Sequence, residues 1–142
     1  MQAATNSETA RPTPPIHLDE IGQIAITVRD LARSREFYSG ALGMKFLFDA
    51  GQMAFFQCGS IRLMLGTSDQ PAPQQPASTI LYFRVGDIQA AHAAMNTLGV
   101  SFSHPPHLVA RMPSHDLWMA FLKDPDGNPL ALMSEAPPSR PA

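Results

Sequence analysis

Residues 21–66 and 79–134 of this chain carry the same landmarks in the same order. An internal repeat of that kind restricts the fold to something built twice from one unit. The first half opens Gln23-Ile-Ala-Ile-Thr-Val-Arg-Asp-Leu31, the second Ile80-Leu-Tyr-Phe-Arg-Val-Gly-Asp-Ile88. Val28 aligns with Val85, Asp30 with Asp87 and Leu31 with Ile88, at a constant spacing of 57 residues. Each half then reaches Leu-Gly (Leu42-Gly43, Leu98-Gly99) and, three residues later, a Phe (Phe46, Phe102). Met-Ala-Phe follows in both, at Met53 and at Met119, and a final apolar run closes each, Ile61–Leu65 and Leu130–Met133.

Local physics assigns both halves the same elements. The opening runs are rich in β-formers and end at Asp30 and Asp87, whose carboxylates suit the free N–H groups of a helix start. After Asp87, Ile88, Ala91, Met95 and Leu98 recur at helical spacing, and Gly99 supplies a left-handed stop. Leu31, Phe37, Tyr38, Ala41 and Leu42 do the same before Gly43. Three extended runs follow in each half, the last two of the second half joined by the turn Asp124-Pro-Asp-Gly-Asn128. Each unit therefore reads βαβββ, and the fold class is α+β. The turn lacks the repeated acidic ligands and the closing Glu of a calcium loop, so it reads as structural.

Proline sets the boundaries. Residues 1–17 and 136–142 read as flexible tails, and Thr67 to Ser78, with Pro71, Pro73 and Pro76, as an exposed connector. The domain is then 18–135, with module one at 21–66 and module two at 79–134. Net charge is −2 and no two Lys or Arg are adjacent, which excludes the basic stripe of a nucleic-acid binder. The longest apolar run, Leu117 to Leu122, is too short to cross a bilayer. The N-terminus lacks a charged start followed by an apolar stretch. The single cysteine, Cys58, reads as an apolar filler, so the cytoplasm is the expected compartment.

The paired pattern resembles the vicinal oxygen chelate superfamily of glyoxalases, bleomycin-resistance proteins and extradiol dioxygenases. Ile24–Leu31, Phe37-Tyr38, Leu42-Gly43, Val85–Ile88, Leu98-Gly99, Met119–Leu122 and Asp124–Gly127 carry the resemblance. It implies two βαβββ modules forming an open eight-stranded barrel-like sheet with helices outside, a pocket within, and commonly a homodimer. It also implies metal ligands on the first and fourth strand of each module. Those positions fall on Gln23, Met64, Ile80 and Ala131. Only Gln23 has a suitable donor, whereas Zn²⁺ or Fe²⁺ needs three or four. No cofactor is expected, a divalent metal entering only through a rearranged site such as Gln23 with His115.

Alternate residues of a strand share a face. With the ligand positions facing inward, the pocket gains Gln23, Phe55, Gln57 and Arg62 from module one and Tyr82, Arg84, Met119 and Phe121 from module two. That mixture suits a small amphipathic or anionic ligand, or else a plain apolar core with both arginines reaching solvent. Ser103–Ser114 reads as a long loop able to cover the pocket. His115 ends it, inward if the next strand begins that early, and is the candidate acid or base; the alternative is one structural hydrogen bond. Asp116 would face away from it, and Trp118 would pack on a helix. His104 and His107 bracket Pro105-Pro106 and are not read as a metal pair, His92 flanks the apolar stripe of its helix, and His17 lies in the tail.

Three functions compete. The first is a metal-free binder of a small molecule. The second is an enzyme of lyase, isomerase or dioxygenase type, using a rearranged metal or His115. The third, an interaction module, rests only on the proline-rich tails.

Overall fold

The computed structural model describes residues 16–68 and 78–139. Of the expected tails, 1–17 and 136–142, residues 1–15 and 140–142 lie outside the described residues, as does the stretch 69–77 of the connector. Module one runs β1 (Gln23–Thr27), α1 (Leu31–Glu36), β2 (Lys45–Ala50), β3 (Met53–Cys58) and β4 (Ile61–Gly66). Module two repeats this as β5 (Leu81–Arg84), α2 (Ile88–Thr97), β6 (Phe102–Arg111), β7 (Asp116–Lys123) and β8 (Pro129–Ala136). The strand orders are β1-β4-β3-β2 and β5-β8-β7-β6. β1 lies parallel to β4 and β5 parallel to β8, the chain passing between each pair through a helix and two strands, while the remaining pairs are antiparallel. The architecture is α+β, two four-stranded sheets that do not close into a barrel.

Both helices start as their sequence dictates. Asp30 accepts a hydrogen bond from Arg33 N and Asp87 from Ala90 N, each carboxylate satisfying a donor that the helix itself leaves unpaired. α2 stops at Gly99, whose φ of 88° only glycine adopts freely; Val100 N then donates back to Met95 O. The first helix differs from the regular one expected through Leu42. After Glu36 it widens into a π turn, Phe37–Ala41, with Leu42 N donating to Phe37 O. The wider turn leaves Tyr38 fully buried while Phe37 still packs on the core.

One face of each sheet packs on its helix. Ala54, Phe56, Leu63 and Leu65 from the first sheet join Ala120, Leu122, Leu130 and Leu132 from the second in a single apolar cluster. Trp118 packs against that cluster, on the helix side expected for it. Burying a side chain such as Phe56 or Leu65 contributes roughly 1.5–3 kcal/mol, so the shared core binds the two modules together.

The β7–β8 turn adds a polar clasp. Tyr38 donates to Asp124 Oδ2 at 2.9 Å, and Ser34 and Arg33 donate to Asp126 at 3.2 and 3.1 Å. Asn128 donates to Thr27 O at 3.4 Å, reaching the end of β1. Asp124 also caps its own turn, accepting from Asp126 N and Asn128 N.

Ser103–Ser114 is not a covering loop. Most of it belongs to β6, ten residues at the edge of the second sheet. Pro105 and Pro106 are tolerated because an edge strand needs donors on one side only, and register shifts absorb the irregularity. Both modules bulge at the same place. Phe46 opposes Phe56 and Phe48 opposes Phe55 in one; Phe102 opposes Leu122 and His104 opposes Phe121 in the other.

Candidate ligand site on the helix-free faces

Among the described residues the other face of each sheet carries no helix, and strand register sets which side chains share it. Laterally paired residues point the same way. In the first sheet Gln23, Arg62 and Gln57 form one row, and Ala25, Met64, Phe55 and Phe48 the next. In the second, Tyr82, Ala131, Phe121 and His104 form a row beside Arg84, Met133, Met119 and His107. All eight residues assigned to the pocket from sequence therefore lie on helix-free faces, four on each sheet. Phe55 and Ala131 are buried yet stand outside the main core cluster, because their cover comes from side chains on this face.

That cover is aromatic. Phe48 stacks on Phe55 with centroids 4.7 Å apart, and the Arg62 guanidinium lies 5.8 Å from the Phe55 centroid, an attraction between a cation and the electron-rich ring face. In the second sheet Tyr82 meets Phe121 edge-on at 6.1 Å, one from each side of Ala131. Gln23 donates weakly to the Met64 sulfur at 4.0 Å, and Gln57 donates to Gly59 O. Arg84 lies 3.8 Å from Glu135, and both are largely exposed. At the seam between modules, Ala25, Thr27, Leu81 and Asn128 line a cleft of about 250 Å³.

His115 does not begin a strand. β7 starts one residue later, and His115 closes the β6–β7 turn, its carbonyl accepting from Met112 N and its Nδ1 lying 3.0 Å from Ser114 Oγ. Asp116 is buried and accepts from Ser139 N. His92 is half-buried, edge-on to Phe102 at 4.5 Å. Sequence reasoning missed His104 and His107, which share the face of Phe121 and Met119. Three residues of β6 span two of β7 there, so the usual alternation fails at Pro105-Pro106. The only available signal was the position of that pair within an otherwise β-rich run.

The resemblance assigns metal to Gln23, Met64, Ile80 and Ala131. Ile80 precedes β5 and is partly exposed, and Ala131 lies under Tyr82 and Phe121. One carboxamide, one thioether and two hydrocarbon side chains do not fit a hard or borderline cation. Among the described residues, no three His, Cys, Asp or Glu side chains are grouped to hold an ion.

The chain is 25% identical over 134 residues to a catechol-2,3-dioxygenase of Bacillus subtilis (strain 168), covering 87% of this chain but 45% of that protein. It thus spans less than half the length of that relative. Among solved structures, a glyoxalase family protein from Enterococcus faecalis shares 29% identity at a TM-score of 0.69, covering 82% of this chain and 98% of the other. A lactoylglutathione lyase from Agrobacterium tumefaciens shares the fold, with 23% identity, a TM-score of 0.63 and coverage of 86% and 96%. The family model for the glyoxalase, bleomycin resistance protein and dioxygenase superfamily matches residues 20–132, and the chain belongs to that superfamily.

Proposed function

We propose that this protein binds a small amphipathic or anionic molecule against the helix-free faces of its sheets, without the metal typical of its superfamily. The observation that supports the reading is that three of the four positions to which the resemblance assigns metal donors hold Met64, Ile80 and Ala131. Around them stand stacked rings and a few polar groups. Apolar walls with a handful of convergent polar groups are the usual composition of a small-molecule site. Gln23, Gln57, Arg62, Tyr82 and Arg84 supply orientation, while Phe55, Met119 and Phe121 supply contact area.

A homodimer is part of this reading. Phe46, Phe48 and Met53 near one sheet edge, and Val109 and Met112 near the other, are exposed apolar side chains of the kind a second copy covers. Should the bound molecule be turned over, His115 is the group we assign to proton transfer. It is half-buried, and its ring is held by Ser114.

Metal analysis of protein purified without chelator tests the reading, together with melting curves with and without EDTA and titration with the amphipathic anion 8-anilinonaphthalene-1-sulfonate. The reading expects no stoichiometric metal, no shift with EDTA and saturable probe binding lost in Phe121→Ala. One metal ion per chain with a large drop in melting temperature on chelation would overturn it.

A further inference from the structure

Four rings from three strands meet on the second sheet. Phe121 has Tyr82 edge-on at 6.1 Å, His104 edge-on at 5.7 Å and His107 at 6.1 Å with 32° between planes. The two imidazole centroids are 6.4 Å apart. Pro105 O lies 2.8 Å from His107 Nδ1. A carbonyl oxygen only accepts, so Nδ1 must carry the hydrogen of that bond, which leaves Nε2 as the variable atom. When His107 is neutral, Nε2 offers a bare lone pair. When His107 is protonated, Nε2 becomes a charged donor.

The surroundings decide what such a donor meets. On the same face β7 contributes Leu117, Met119, Phe121 and, at its end, the cation Lys123, and β8 contributes Pro129, Ala131, Met133 and Glu135. β5 contributes Tyr82 and Arg84, and Arg84 is engaged with Glu135. His115 belongs to the turn at the far end of β6 and β7. Asp116 is committed to Ser139 N, and α2, with His92, packs on the opposite face. No carboxylate of β6 or β7 therefore faces His104 and His107. Charging both imidazoles places two like charges side by side, which an anion seated between them offsets.

Building on the pocket reading above, we infer that this cluster selects a planar aromatic carboxylate. The ring of the guest lies against Phe121 and Tyr82, in the offset or edge-on contacts that aromatic quadrupoles favour. Its carboxylate accepts hydrogen bonds from protonated His104 and His107, charge-assisted and therefore stronger than neutral ones. Binding takes up protons, so affinity falls as pH rises.

Calorimetric titration with 2-naphthoate and with neutral 2-naphthalenemethanol, at pH 6 and pH 8 in buffers of different ionisation enthalpy, tests this. The wild-type protein should bind naphthoate about tenfold tighter at pH 6, with net proton uptake. The alcohol should bind equally at both values. The doubly substituted His104→Gln, His107→Gln protein, altered only at exposed positions, should keep its affinity for the alcohol and lose the pH difference for naphthoate. Equal naphthoate affinity at both pH values, or a pH difference that survives the double substitution, would overturn the inference while alcohol binding leaves the pocket reading intact. Failure of both molecules to bind the wild-type protein would overturn the two together.

Discussion

Tyr38 of the first module donates its hydroxyl hydrogen to Asp124 of the second across 2.9 Å, and neither group has appreciable access to solvent. Removing that hydroxyl strips a buried carboxylate of one of its donors, while Asp126 N, Asn128 N and Asn128 Nδ2 remain. Hydrogen bonds to charged groups contribute about 1.5–3 kcal/mol. Tyr38→Phe should lower unfolding stability by that amount in urea denaturation at neutral pH, with an unchanged denaturant slope.

The same contact makes stability fall in alkali. Burial pushes the Tyr38 hydroxyl far above its ordinary ionisation, helped by the negative charge of Asp124, the hydrogen bond to it and the charge of Asp126. In the unfolded chain a tyrosine ionises near about pH 10. Below that value both states hold the proton and its contribution is complete. Above it only the unfolded chain releases the proton, so stability declines with rising pH. Denaturation between pH 9 and 11 should therefore show the gap between wild type and Tyr38→Phe narrowing from about pH 10 upward.

Asp126 is the second half of the clasp, accepting from Arg29 N, Arg33 and fully buried Ser34. Asp126→Ala leaves the Ser34 hydroxyl without that acceptor and should cost about 1–3 kcal/mol. Arg33→Ala removes only a partner whose side chain is 50% exposed and should cost less than about 1 kcal/mol. Urea melts of both variants check the order.

Ala131 has no exposed surface and lies between Tyr82 and Phe121. Restoring a carboxylate there, as Ala131→Glu, buries a charge without a partner. We expect a loss of about 3 kcal/mol or more, smaller at pH 4, where the carboxyl accepts a proton. Thermal melts at pH 4 and 7, with and without added Zn²⁺, would show this, and Zn²⁺ should give no recovery.

Arg62 and His115 separate binding from chemistry. Arg62→Ala should weaken the anilinonaphthalene sulfonate complex about threefold to tenfold, since a cation above Phe55 and a charge-assisted contact are both lost. Arg84→Ala should weaken it less, because Glu135 already engages that side chain. His115→Ala should leave probe affinity unchanged and abolish whatever turnover the protein shows, as measured by titration and by product analysis.

Much of the fold is legible in the residues because each signal is local. Asp30 and Asp87 cap helices, and Val28 and Val85 mark equivalent strand ends. Once register is known, alternation alone places Gln23, Phe55, Tyr82 and Phe121 on helix-free faces. What could not be read depends on partners distant in the chain. Pro105-Pro106 looks like a strand breaker unless β6 is known to be an edge, and its bulge brings His104 and His107 onto one side against simple parity. The Tyr38–Asp124 contact joins residues far apart in sequence, and no periodic pattern announces it. Nor does helix propensity announce the π turn at Phe37, since it favours a regular α turn.

The two central rows are matched in position but reversed in bulk: Ala25 beside Met64 in one sheet, Tyr82 beside Ala131 in the other. A chain assembled from two copies of one plan has thereby lost the equivalence of its halves. A guest lying across both would meet sulfur at one end and a phenol at the other, so it could not be turned end for end without a change in fit. The repeat makes the two faces alike in plan, and these few positions make them unlike in chemistry.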